Sequence, residues 1–493
     1  MNAKAVSAFP GTRRVFHASQ PRSASFAADD GRLRLVFDPL RVLLVALTIV
    51  TISRVHQHYS LLMKLRPALL LAIGSVAYAY LKPRALTRSN VLGYWPMRNV
   101  ALLGILACCS AVFGLSLGRT ASFILSSYIK VLAYSFLLAV SIRHVRDLYT
   151  YVWAYVVSCG ILSFFSLFVF GITRSNNSDF ARLSNLYTFD ANDICVIMML
   201  GLPMALLLLV SNRYSWPRRA ILLAIVVGMS ATIARSGSRG GFLGLATLAL
   251  SALILVNSVS VSRRTGMLTA VVIALLLGAT PGYWKQMGTV LRPKDDYNYA
   301  TLYGRKALAE RGIGYMKRYP VFGVGMNNFP RAECTISPLI DSLGTNAPVR
   351  CRAPHNSYVE AGSELGVPGL LTWVSLELGV IVSMLRLRRR LPRAWRRGTE
   401  TERFLYGATS FLPLAMIGFA VTAFFVSFAW LDPIYLLAAF TTGVYIAVRE
   451  HVNASQRAPA VAASPAVSRA TSGWRVLQSA QKLGLSQARA AGQ

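Results

Sequence analysis

The sequence predicts an all-α, polytopic membrane protein with about twelve transmembrane helices and one long polar loop. Hydrophobic residues make up 54% of 493 positions and charged residues 14%, with a mean hydropathy of +0.47. That balance is too apolar for a soluble chain of this length. Apolar runs recur at lengths near the roughly 20 residues that cross a hydrocarbon core. One polar stretch, Trp284 to Pro354, separates two sets of these runs.

The expected spans are 37–54, 67–82, 99–117, 121–142, 148–172, 192–211, 219–234, 240–260, 266–283, 366–386, 404–428 and 433–449. They divide the chain into a basic cytoplasmic tail (1–38), helices one to nine (39–283), the long loop (284–354), helices ten to twelve (355–449) and a second tail (450–493). The first tail holds Arg13, Arg14, Arg22, Arg32 and Arg34 among Ala, Ser and Pro. No signal-peptide core precedes Leu40, so it reads as a retained, disordered segment. Trp474 to Ala490 in the second tail reads as a solvated stretch or a weak interfacial helix.

A net charge of +33 would ordinarily raise nucleic-acid binding. Here the basic residues cluster between apolar runs, as orientation signals do, and nucleic acid is not an expected partner. Lys82/Arg84/Arg88/Arg98, Arg143/Arg146, Arg213/Arg218/Arg219, Arg263/Arg264 and the run from Arg386 to Arg397 fall in alternate connections. A cytoplasmic N-tail then puts both termini inside and the long loop outside. The connection near Arg54, Lys64 and Arg66 fits this less well.

Cys108, Cys109, Cys159 and Cys195 lie in or beside apolar helices as packing residues. Cys334 and Cys351 share the outside loop, where an oxidising compartment would let them pair; the alternative is two free thiols. Cysteine–histidine clusters with zinc spacing, P-loops and dinucleotide fingerprints are absent from the sequence.

Three features meet at the outer face on this topology. In Arg235-Ser-Gly-Ser-Arg239-Gly-Gly a glycine-rich turn opens a helix, and an arginine fork beside free amides suits a phosphate or diphosphate. An interfacial arginine beside a helix-packing glycine pair explains the same residues equally well. Tyr303-Gly304-Arg305, with Arg311, Lys317 and Arg318, begins a helix that Pro320 and Gly323 terminate. His355, at the loop-to-membrane junction, is either a structural or exposed histidine, as isolated ones usually are, or a general base near neutral pH. Glu360 and Glu364, i,i+4 neighbours on one helix face, either orient a partner or act as caps.

Ser-Arg-Gly-Gly opening a helix, Pro320-x-x-Gly323-x-Gly325-x-x-x-Phe329, and His355-Asn with Glu364-x-Gly366-x-x-Gly369 stand in the order that the O-antigen ligase and polymerase superfamily shows. Residues 180 to 445 resemble that superfamily. The resemblance implies a GT-C-like, periplasm-facing glycan transferase of the bacterial inner membrane, without metal or other cofactor. Its donor would be an undecaprenyl-diphosphate-linked glycan and its acceptor lipid A–core or another glycan, with membrane lipid around both. It assigns catalysis to Arg239, Arg305 and His355. Substrate binding would involve Arg182, Asn192, Asp193, Arg235, Tyr303, Glu360 and Glu364. In the segment Asp190-Ala191-Asn192, Ala191 stands where the family commonly has proline. A protein-hydroxyl acceptor fits less well, because the large extra domain that often accompanies it is missing. A scaffold role has no supporting feature. The alternative from another class is a transporter, for which Lys130 and Glu377 would pair across the bundle. The long loop breaks the six-plus-six repeat such a protein would show.

Single cysteines at Thr301 and Gly398 test the orientation. Membrane-impermeant thiol reagent should reach position 301 in intact cells; labelling of 398 instead would reverse the topology.

Overall fold

The computed structural model describes residues 33–174, 181–186, 188–256, 259–279, 281–292, 301–343 and 350–462. The basic N-tail up to residue 32 and the 474–490 stretch lie outside the described residues. The chain is a multi-pass helical protein with a single two-stranded hairpin among those residues, in which β1 (Ile172–Arg174) pairs antiparallel with β2 (Ala181–Leu183).

Helices fall on every expected span. They are α1 (Pro39–Ser53), α2 (Pro67–Leu81), α3 (Trp95–Phe113), α4 (Leu117–Ser141), α5 (Val145–Val169), α6 (Ala191–Ser211), α7 (Trp216–Ser236) and α8 (Arg239–Leu255). The ninth span is a pair, α9 (Val261–Gly278) and α10 (Pro281–Gly288), bent by 111°. The loop contributes α11 (Arg305–Arg318), α12 (Phe329–Thr335) and α13 (Pro338–Leu343), and α14 (Ser357–Arg390), α15 (Glu400–Thr422) and α16 (Asp432–Ala462) follow. Among the described residues, seven helices are long and apolar enough to cross a membrane unaided, while α1, α2 and α8 are shorter apolar helices. The last helix continues past the expected end at 449.

Local chemistry sets the starts. Pro39 and Pro67 occupy first-turn positions where no amide bond is lost. Thr399 and Glu402 form a reciprocal capping box at α15. The deeply buried α6 packs between α7 and α15.

Contacts sort the connections onto two ends, as alternating crossings require. At the arginine-rich end, Arg143 donates to Arg84 O (2.8 Å), Arg403 to Ser211 O (2.9 Å) and Val36 N to Thr150 Oγ1 (3.0 Å). At the loop end, Leu115 N reaches Val324 O (2.8 Å), Thr188 reaches Gln57 (3.4 Å) and His355 N reaches Ser427 (3.0 Å). The connection around Arg54–Arg66, anomalous by charge, joins the loop end. Lys130 and Glu377 are not partners: Glu377 accepts from Tyr358 Oη (3.1 Å), and Lys130 acts electrostatically on Asp432.

The expected tenth span, 366–386, is only the second part of α14. Residues 357–365 are helical too, and the helix breaks at Gly366 (φ 71°, ψ −171°). Pro368 has no amide for the carbonyl of Glu364, and Val367 N turns to Pro320 O (2.7 Å). Two carbonyls are therefore freed. Val324 N bonds Ser363 O (2.8 Å) and Gly325 N bonds Glu364 O (3.0 Å), so the loop segment 320–325 completes what the helix lacks. A side chain at Gly366 would lie 2.5 Å from Pro320 O, so only glycine suits both the left-handed backbone and the contact.

The Glu364 carboxylate fastens this junction. Its oxygens accept from Asn327 N (2.6 Å), Phe329 N (3.1 Å) and Trp430 Nε1 (2.7 Å). Beneath it, Leu308, Tyr315, Val324, Phe329 and Ala332 form a small core for the loop. Glu333, fully buried, takes a forked contact from Arg311 (2.6–3.0 Å) and Tyr315 Oη (2.7 Å). The other side of the loop is tied to the α3–α4 turn by Asn328 Nδ2 to Thr120 Oγ1 (2.9 Å) and Arg119 Nε to Asn327 O (3.0 Å).

Glu364→Ala would orphan three buried donors, each worth about 1–3 kcal/mol. A total loss of about 3–5 kcal/mol is expected, with Glu364→Gln milder because one oxygen remains. Thermal unfolding in detergent measures this, and a wild-type melt for Glu364→Ala would show that the junction contributes nothing.

Candidate active site

His355 stands two residues before α14. Asn356 caps that helix through Tyr358 N (3.0 Å) and Val359 N (3.1 Å). The chain enters the cap with His355 at φ 48°, an uncommon conformation for a side chain of this size. The 426–429 segment holds it there. His355 N donates to Ser427 Oγ (3.0 Å), Ser357 Oγ donates to Val426 O (2.8 Å), and Ala429 N donates to Glu360 Oε2 (3.0 Å). The four non-glycine residues with positive φ among those described, Arg54, Arg66, Asn327 and His355, all lie in loop-end connections. Strain of this kind concentrates at functional sites.

Arg305 opens α11 and stacks its guanidinium over Phe425 (5.9 Å). Arg239 opens α8, where Ser238 caps Gly241 N (3.2 Å), and donates to Thr289 Oγ1 (3.0 Å). Gly240 follows, and a Cβ there would fall 2.6 Å from the same Phe425 ring. Phe425 thus has Arg305 over its face and the start of the Arg239 helix at its edge. Two residues further on, Ser427 binds His355.

Electrostatics connect these groups. Burial pushes the His355 imidazole below its ordinary pKa, Arg305 pushes it further down, Asp190 opposes the shift and Arg352 adds to it. Burial and the two arginines thus favour the neutral ring. Tyr303 pins the two sides together: its hydroxyl accepts from Arg350 N (3.1 Å), and Arg352 lies over its ring (6.0 Å). Cys334 and Cys351 are joined, with Cα atoms 5.3 Å apart, which anchors the strand entering His355.

Other expected binding residues have internal partners. Asp193 accepts from Asp190 N (3.0 Å) in a capping box at α6, and Asn192 donates to Asp190 Oδ2 (3.3 Å). Glu360 and Glu364 take backbone amides. Arg182 lies in β2 and acts electrostatically on Cys195, and Arg235 occupies the last turn of α7. Sequence reasoning assigned no role to Asp190, Arg352, Phe425 or Ser427. Asp190 was legible as an N-cap, and Arg352 lay beside a paired cysteine. Phe425 and Ser427 leave the end of an apolar run with no local signal. A groove of about 370 Å³ between Arg311, Arg318, Tyr315 and Pro338 opens on the loop helices and includes none of the three catalytic candidates.

Residues 224–374 match the protein-family model described as O-antigen ligase. That match supports a relationship of this segment to the O-antigen ligase and polymerase superfamily. It spans α8, the long loop, His355 and the break in α14, and it points to glycan transfer of the ligase or polymerase type. No curated protein matches the chain.

Peptides containing Cys334 and Cys351 should be recovered linked from protein isolated without reductant. Closing a ring of this length contributes on the order of 3 kcal/mol, so Cys351→Ser should lower the melting temperature. Mass spectrometry finding both thiols free would remove the covalent anchor.

Proposed function

We propose that the protein transfers a glycan from undecaprenyl diphosphate to an acceptor hydroxyl at the periplasmic face of the inner membrane. The acceptor is lipid A–core, as for a ligase, or a second lipid-linked glycan, as for a polymerase. The observation that supports this best is a half-buried His355, fastened to Ser427 two residues from the Phe425 ring that Arg305 covers, at the end where α8 begins with Arg239.

In this reading the acceptor oxygen attacks the anomeric carbon as the bond from that carbon to the diphosphate oxygen breaks. The hydroxyl proton passes to the His355 imidazole, and polyprenyl diphosphate leaves. Arg239 and Arg305 meet charge that grows on the leaving diphosphate, so they stabilise the transition state more than the bound donor. Single displacement inverts the anomeric centre. Asp190 favours the imidazolium that forms, and Arg305 keeps the ring unprotonated beforehand. Tyr303 and the Cys334–Cys351 bond hold the two sides in register.

Purified protein given a synthetic polyprenyl-diphosphate glycan and one candidate acceptor at a time, in EDTA, tests the proposal. Arg239→Ala and Arg305→Ala should each lower kcat/KM by about 10²–10³-fold, with Lys recovering only part because a point charge lacks the fork. His355→Ala should lose about 10²–10⁴-fold while retaining donor binding. Activity should hold through neutral pH and fall once pH drops below the lowered His355 pKa. Arg305→Gln removes a positive neighbour, so that acid limb should move to higher pH. Wild-type transfer by His355→Ala overturns the assignment.

A further inference from the structure

Helix α1 carries an arginine near each end, and the two are satisfied very differently. Arg41, at the arginine-rich end, is 1% exposed and fully engaged. Its Nε and Nη2 reach the two oxygens of Asp147 (3.1 and 3.3 Å), Nη2 also reaches Ser141 O (2.6 Å), and Nη1 reaches Asp38 (3.3 Å). Arg54, at the loop end, has a single ion contact, Nη2 to Asp432 at 3.9 Å. That is beyond hydrogen-bond distance. Its Nε is shielded from solvent and has no partner among the described residues, and the same holds for His56 Nδ1 two residues on.

A guanidinium carries five N–H donors, and that of Arg54 is half-buried, its side chain 21% exposed, with Nε enclosed and only a loose contact to Asp432. Asp432 cannot neutralise the region alone, because it answers both Arg54 and Lys130. The backbone agrees. Arg54 is held at φ 54°, with its guanidinium 5.0 Å over the Phe189 ring.

Phe189 and Asp432 tie this arginine to the site already described. Phe189 precedes Asp190, which faces His355 electrostatically, and its ring packs on Phe428 (6.4 Å). Phe428 follows Ser427, the residue that receives the His355 amide. Asp432 begins the helix that leaves that same segment.

We propose that Arg54 is a third substrate-binding arginine at this end, one whose half-buried guanidinium, held only loosely by Asp432, takes a phosphoryl oxyanion of a substrate. The inference rests on the glycan-transfer reading. The oxyanion belongs either to the donor diphosphate or to a phosphoryl group on the acceptor. Arg54 is contributed by the first helix, far in sequence from the matched family segment, and closes the side of the site occupied by Phe189 and Asp190.

Full-length Arg54→Gln, assayed in detergent with donor and acceptor varied separately, decides this. One of the two KM values should rise about tenfold or more, the scale of a lost charge-assisted contact, with kcat changing less. A raised donor KM identifies the diphosphate, and a raised acceptor KM identifies the acceptor. The donor arm should also show weaker protection of the protein against thermal unfolding by inorganic pyrophosphate. If Arg54→Gln fails to fold, Arg54→Gln combined with Asp432→Asn removes both charges and is assayed in its place. Wild-type KM values for both substrates overturn the proposal, leaving Arg54 as the counter-charge of Asp432. Arg305→Gln separates the two levels. If it impairs transfer while Arg54→Gln does not, only this inference fails; if it too transfers normally, the glycan-transfer reading of the site fails.

Discussion

The architecture at the loop end depends on a helix that cannot hydrogen-bond itself. Gly366 and Pro368 interrupt α14 and leave the carbonyls of Ser363 and Glu364 without helical partners. In a low-dielectric setting such groups must find donors or the segment does not persist. The loop supplies them from Val324 and Gly325, and the Glu364 carboxylate returns the contact by receiving Asn327, Phe329 and Trp430. Three chain segments far apart in sequence are thereby held at one point. The position of α11, and so of Arg305, follows from where that break lies, as does the position of His355 nine residues before Glu364.

Around this junction the charge arrangement is asymmetric. Arg305 and Arg352 come from the long loop and Arg54 from the connection after the first helix, while Asp190 opposes the two loop arginines in their effect on His355. Positive neighbours and burial together keep an imidazole unprotonated, which is how a base is prepared near neutral pH. Each of the three arginines lies over an aromatic face, Arg305 over Phe425, Arg54 over Phe189 and Arg352 over Tyr303.

Hydropathy located the helical segments well, because apolar runs are a property of the local sequence. It misjudged the start of α14. The span was expected only from 366, and although Glu360 and Glu364 read as helical, nothing local showed that Ser357, Glu360, Ser363 and Glu364 pair with backbone from elsewhere. No local pattern reveals those distant donors. The i,i+4 spacing of Glu360 and Glu364 told only that they share a face. Asn192 and Asp193 carried a recognisable capping pattern beside Asp190, and the structure gives them that work, leaving Asp190 as the member directed electrostatically at the histidine. Lys130 and Glu377 were separable as a pair only once Tyr358 and Asp432 were known to lie beside them.

The bond between Cys334 and Cys351 fixes both ends of the intervening chain, seventeen positions apart, and the second end lies four residues before His355. What happens to the length or composition of that chain is therefore largely insulated from the approach to the histidine, since a closed ring tolerates changes in its arc at small entropic cost. The segment can diversify by insertion or replacement while the residues on either side keep their places. A laboratory wishing to graft a new recognition element beside His355 would find there a stretch already bounded by a covalent frame.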